Sequence, residues 1–346
     1  MKYQHIVAEV FHKPWAILPE KFAVIADIVA HRAAGEKLTD EQIRARLALH
    51  AAAASSSRQY NSGQGIVAVI PIFGVISQRV NLMSQVSGGT SIDKLTNSFR
   101  QAIADPSVKQ IVFDVDSPGG GVEGVPELAD EIFQSRGKKK TIAVANSLSA
   151  SAAYWLASSA GELVVIPSGS VGSIGVFCAH EDISAALAQE GINVSLISAG
   201  KYKVEGNPYG PLSGEARAEL QSKVDSFYGM FVKSVARGRN VAQTQVREGF
   251  GQGRMVLADD AVKQHMADRV ATFDQTIARL GAGGTQGMIA AQASGQSMSI
   301  EERRRQLDAI DSLHKRRDEI DSVSRTDGGL KDIERRRREL DERYGA

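Results

Sequence analysis

Residues 65–280 predict an α/β fold on three observations. Apolar runs of strand length recur along the stretch, helix-length pieces separate them, and glycine- and proline-bearing turns punctuate the joins. Strands are expected at 66–76, 110–115, 141–145, 163–166 and 194–197. Helices are expected at 92–104, 124–134, 151–159, 183–189, 213–238 and 259–264. Strands joined through helices call for crossover connections and a largely parallel sheet.

The flanks read differently. Residues 1–54 are expected to be a helical N-terminal region. Pro19 suits a first helical turn, followed by Phe22, Ile25, Ile28 and Val29 on one face. Thr39-Asp40-Glu41-Gln42 is a capping box ahead of Ile43 and Leu47. The polar residues 55–64 are read as a linker, and the glycine-rich residues 281–298 as a second, flexible one. Residues 299–346 are read as a charged helical or coiled-coil tail. Its thirteen basic and thirteen acidic residues over 301–346 nearly cancel, and Leu330, Ile333, Leu340 and Tyr344 keep an a/d-like spacing. The arginine runs 303–305 and 335–338 are interleaved with acids, which favours a solvated or coiled-coil face over nucleic-acid binding.

Composition narrows the function classes. A net charge of +1 over 346 residues gives no nucleic-acid footprint. The single cysteine, Cys178, excludes an internal disulfide. No run reaches the roughly 18 apolar residues of a membrane helix, and the N-terminus lacks the order of a secretory signal. A protein that stays in the cytoplasm where it is made, without membrane or nucleic-acid partners, is expected. The seven histidines keep no metal-ligand spacing, and no GxSxG elbow or Walker loop is present, so neither metal nor cofactor is expected.

The chemistry-bearing signal centres on Ser151. It stands where the apolar run 141–145 gives way to the small-residue, helix-favouring run 151–157. A serine there has its hydroxyl at the positive end of a helix, beside backbone N–H groups that lack acceptors. Such a hydroxyl needs a base. Lys201 and Lys203 follow the apolar run 194–197, and either could serve when neutral. Side-chain parity does not choose between them. Upstream, Ser117-Pro118-Gly119-Gly120 ends another apolar run, and the N–H groups of Gly119 and Ala152 could hold an oxyanion. Ser173, within Gly172-Ser173-Ile174-Gly175, could orient the lysine amine. Rivals exist. Ser147 and Ser149 are alternative nucleophiles, and His180 with Asp114 or Asp116 is an alternative base pair.

In order, the segments SPGG (117–120), ASAAYW (150–155), GSIGV (172–176) and GKYK (200–203) resemble the signal peptide peptidase A family of Ser–Lys peptidases. Residues 253–261 and 266–270 are similar to that family's closing segment, so the resemblance covers roughly 65–275. It implies a Clp/crotonase-like core of stacked ββα units. It also implies Ser151 as nucleophile, Lys203 rather than Lys201 as general base, Ser173 as the residue orienting it, and an oxyanion hole at Gly119 and Ala152. The mechanism would be acyl transfer through a serine ester, with activity rising into alkaline pH. The family commonly has two glycines where this chain has Ala152 and Ala153, and its bacterial membrane enzymes carry an anchor not seen here. The layout is closer to the phage branch, the prohead proteases. That implies scaffold protein and the chain itself as substrates, capsid or portal proteins as partners, a homo-oligomer, and a place in the host cytoplasm or the interior of the immature head. A cellular peptidase of the same family and a non-enzymatic assembly protein are the alternatives.

Overall fold

Alternation of side chains decides the central sheet. The computed structural model describes residues 13–33, 58–62, 65–78 and 89–281. In the strand Gly65–Phe73, Ala68, Ile70 and Ile72 face one core while Val67 and Val69 face another. The strand Val108–Ser117 is buried along nearly its whole length, as expected of a strand covered on both faces.

In chain order the elements are β1 (Trp15–Ile17), α1 (Pro19–Ala33), β2 (Arg58–Ser62), β3 (Gly65–Phe73), β4 (Ile76–Ser77), β5 (Thr90–Ser91) and α2 (Ile92–Ala104). Then come β6 (Val108–Ser117), β7 (Gly119–Gly121), α3 (Val125–Gln134), β8 (Lys140–Ala150), α4 (Ala152–Ser158), β9 (Glu162–Val165) and β10 (Ser170–Gly172). The last are α5 (Ser184–Gln189), α6 (Gly214–Arg239), α7 (Gln243–Gly249), β11 (Met255–Leu257), α8 (Ala258–Lys263), β12 (Arg269–Val270) and α9 (Phe273–Arg279).

Among the described residues, β3, β6, β8 and β10 run parallel and adjacent, and β2 and β11 close the path as antiparallel edges. β8 is long enough to serve two neighbours. Its first half pairs with β9 and its second half with β10. The larger core lies between one sheet face and α2, α3, α4 and α6. The smaller core lies on the opposite face, under Ile277 and Leu280. The α/β class is therefore the one expected from the sequence.

Local sequence explains the helices that matter most. In α2, Ile92, Leu95, Phe99 and Ala102 fall at helical spacing and are the buried positions. In α4 all seven residues are buried. Trp155 stacks on Phe231 of α6 at 4.5 Å between ring centroids. The far end of α4 is braced by Arg136, whose guanidinium donates to the carbonyls of Ser158, Ser159, Ala160 and Gly238. Those groups would otherwise be orphans of the helix terminus.

Three expectations need correction or placing. Residues 55–64 are not simply a linker, because Arg58–Ser62 pairs with β3. Residues 194–197, expected as a strand, have no regular structure and are exposed. The expected loop at 119–121 is a short strand in a second, four-stranded sheet ordered β1-β7-β4-β5. The helix expected from Pro19 is present as α1, but Trp15–Ile17, within the region expected to be helical, is a strand paired with β7. The capping box at 39–42 and the charged tail lie outside the described residues. The described residues all fall within one compact unit.

Candidate active site

Sheet register brings the separate motifs together. Ser117 at the end of β6 is opposite Ser149 of β8, and Ala150 is opposite Gly172 at the end of β10. The segments that leave the carboxyl ends of these three parallel strands carry Gly119, Ser151 and Ser173. This is the edge at which open α/β sheets present their reactive groups.

Ser151 itself is 1% exposed and has φ +54° with ψ −118°, a conformation that few side-chain-bearing residues adopt. The strain has identifiable causes. Its N–H donates to Gly172 O at 2.8 Å, holding it to β10, while its carbonyl accepts from Trp155 at 2.9 Å as the first turn of α4. The residue must belong to a strand and a helix at once, and the turn between them falls on its own dihedrals. The hydroxyl donates to Gly175 O at 3.4 Å, a long bond that a stronger acceptor would replace. Ala152, the first residue of α4, has an N–H without an intrahelical acceptor, at the positive end of the helix dipole.

Gly119 is fitted to this serine. Its φ is +95°, and a Cβ placed on it would lie 3.0 Å from Ser151 Cβ and 2.2 Å from the carbonyl oxygen of Ala16. Its N–H donates to Ser117 Oγ at 3.2 Å, and that hydroxyl in turn donates to Gly74 O at 2.6 Å. Ser117 was not singled out from the sequence as a site residue. Its signal was its place as the polar residue of the SPGG turn. Ser173 is 5% exposed, has φ +53°, and is anchored by its N–H to Arg254 O at 2.9 Å.

Both candidate lysines are exposed. Lys203 is exposed in a turn after the irregular segment 192–199, and its ammonium has no hydrogen-bond partner among the described residues. Lys201 is committed to Tyr202 OH at 2.6 Å and Glu215 Oε1 at 3.1 Å. Those hydrogen bonds hold its pKa above the ordinary lysine value, which favours the charged form.

The rivals are placed as well. Ser147 has φ +120° and donates to Asp116 Oδ1 at 3.1 Å. Ser149 is fully buried with its hydroxyl unpartnered. His180 Nε2 lies 3.1 Å from Asn207 O, and Asp114 accepts from Asn146 at 3.0 Å, so the two are not paired as acid and base. Burial pushes the Asp114 carboxyl up to about 6. Among the described residues, no three His, Cys, Asp or Glu side chains converge as a metal site would need.

The site is thus a buried, strained serine at a strand-to-helix junction of a parallel α/β sheet, with glycine-bearing segments on both sides. Residues 133–285 match the model of Peptidase family S49. The chain is 35% identical over 243 residues to capsid assembly protease C of Escherichia phage lambda, covering 67% of this chain and 55% of that protein. It is 37% identical over 180 residues to a head–tail preconnector protein of Enterobacteria phage P21, covering 52% and 36%. It is 33% identical over 176 residues to a putative protease of Methanocaldococcus jannaschii, covering 51% and 56%. The chain thus spans only part of the curated relatives it matches. Among solved structures, a ClpP1 mutant from Listeria monocytogenes superposes with a TM-score of 0.39 at 13% identity, over 60% of this chain and 92% of that one.

Proposed function

We propose that this chain is a serine endopeptidase that cleaves scaffold protein, and itself, during phage prohead assembly. Ser151 is the nucleophile and Lys203 the general base. The single observation that carries this reading is the strained, buried Ser151 held between Gly119 and Gly172 at the head of α4. The names of the phage relatives support a capsid substrate. In the proposed reaction Lys203 takes the hydroxyl proton and Ser151 Oγ attacks the scissile carbonyl. The N–H groups of Ala152 and Gly119 receive the oxyanion, and the lysine returns the proton to the leaving amine. Gly119 must then release its bond to Ser117.

The exposed position of Lys203 also bears on assembly. Ile192, Val194, Leu196 and Ile197 form an apolar run on the surface, and Ile197 is 98% exposed. Such a run beside a required base supports a homo-oligomer in which the segment is covered and Lys203 reaches a serine. No helix of the described residues is long and apolar enough to cross a membrane. An internal phage-head location belongs to the same proposal.

Mass spectrometry of wild-type, Ser151→Ala and Lys203→Met protein after incubation with scaffold tests the reading. Wild type should produce scaffold and self fragments that both variants fail to produce, while Lys201→Met still produces them. Unchanged processing by Ser151→Ala would favour the non-enzymatic assembly alternative.

A further inference from the structure

The site is not empty of backbone. Trp15, Ala16 and Ile17 of β1 lie antiparallel to Gly121, Gly120 and Gly119 of β7. On its other side Trp15 exchanges two backbone hydrogen bonds with Phe177, at 2.7 and 3.0 Å. Leu18 N–H extends the first pairing to Pro118 O at 3.0 Å. The strand therefore runs between the two segments that flank Ser151, the one after β6 and the one after β10. Its side chains alternate. Ala16 is fully buried toward the larger core, while Trp15 and Ile17 pack with Phe22, Ile25 and Phe177.

The placement of one carbonyl makes this more than edge pairing. The Ala16 oxygen and Ser151 Cβ both press on the space that a side chain at Gly119 would take, 2.2 and 3.0 Å from where its Cβ would lie. A scissile carbonyl has to approach the nucleophile through such a space. At the same time the Gly119 N–H is engaged by Ser117, and Lys203 is exposed. Occupied peptide groove, engaged oxyanion donor and exposed base all describe one state, a resting one.

We infer that the groove between Gly119–Gly121 and Phe177 is the site's peptide-strand acceptor and that Trp15–Ile17 is its resident occupant, which incoming substrate must displace. The inference rests on the serine-peptidase reading and adds a regulatory state to it. It also defines a class of ligand: an extended peptide with a small residue opposite Gly120 and apolar residues on either side. Recruitment to scaffold then does two things, supplying a competing strand and raising its local concentration.

The test is binding, measured without catalysis. Full-length Ser151→Ala protein also carrying Trp15→Cys, Phe177→Cys and Cys178→Ser is titrated with a fluorescein-labelled peptide PWAILP. Residues paired by two backbone hydrogen bonds are close enough for a disulfide. Oxidation locks the strand in place. Reduction leaves it without the Trp15–Phe22 and Phe22–Phe177 ring contacts. The peptide should bind the reduced form about ten-fold or more tightly than the oxidised form, because affinity scales with the fraction of open groove. Equal affinity, or no binding to either form, overturns the inference. If the reduced variant unfolds, Ile17→Ser in the Ser151→Ala background gives the same comparison against Ser151→Ala alone. Fluorophosphonate labelling of wild-type protein separately tests the serine. Loss of that labelling with peptide exclusion intact sinks the peptidase reading and leaves the occupied groove standing.

Discussion

Gly119 and Ser151 are packed so closely that a methyl group on the glycine would lie 3.0 Å from the serine Cβ. The glycine also has φ +95°, where a side chain is strained whatever the space around it. Gly119→Ala should therefore lower peptidase activity by about 100-fold, the scale of losing one oxyanion donor. It should cost about 1–3 kcal/mol of stability. Activity on scaffold and a thermal melt check the two effects separately.

A second close approach sets the helix behind the site. In α6, a Cβ on Gly238 would lie 2.2 Å from Ser158 O at the end of α4. Gly229, in the same helix, would meet nothing within 4 Å. Gly238→Ala should destabilise by about 2–3 kcal/mol, because it forces the helices apart. Gly229→Ala should stabilise by about 0.5–1 kcal/mol, because alanine loses less chain entropy in a helix. Urea unfolding of both variants reads the opposite signs directly.

How much of this was legible in the sequence depends on where the cause lies. The helix Ile92–Ala104 was readable because its buried positions repeat at helical spacing. Ser151 was readable because an apolar strand runs straight into a small-residue helix. Arg58–Ser62 was not, since a polar edge strand shows no apolar alternation and owes its pairing to β3. Gly119–Gly121 looked like a turn because glycine has little strand preference. Its strand exists through the partners on either side, Trp15–Ile17 and Ile76. Residues 194–197 carry strand-forming side chains, yet a strand needs a neighbour and none of the described residues provides one. The choice of Lys203 over Lys201 came from a family resemblance. In the structure, Lys201 pairs with Glu215 on the surface.

Stability should respond to acid through Asp114. Its carboxyl is 8% exposed, and burial, reinforced by Asp116 and opposed by Asn146 and Arg58, raises it from 3.8 to about 6. The folded protein thus holds this proton more tightly than the unfolded chain does. The stabilisation is fully present below 3.8 and is lost as pH rises through about 6. Asp268 gives the opposite slope. Partial desolvation raises its carboxyl, which is still 42% exposed, but the Arg239 hydrogen bonds win and hold it below the ordinary value. Comparing wild type with Asp114→Asn isolates the first effect. The variant should lose the decline between about pH 4 and 6 and gain at most about 3 kcal/mol at pH 7. Chemical denaturation across that range measures it.

The central claim is that Ser151 is the residue acylated by substrate. Its most direct test is peptide mapping after a fluorophosphonate is added during scaffold digestion. A single adduct on the peptide spanning Ser151, appearing as proteolysis stops, is the predicted result. An adduct on Ser147, Ser149 or Ser173 instead, or proteolysis that continues with Ser151 unmodified, would contradict it.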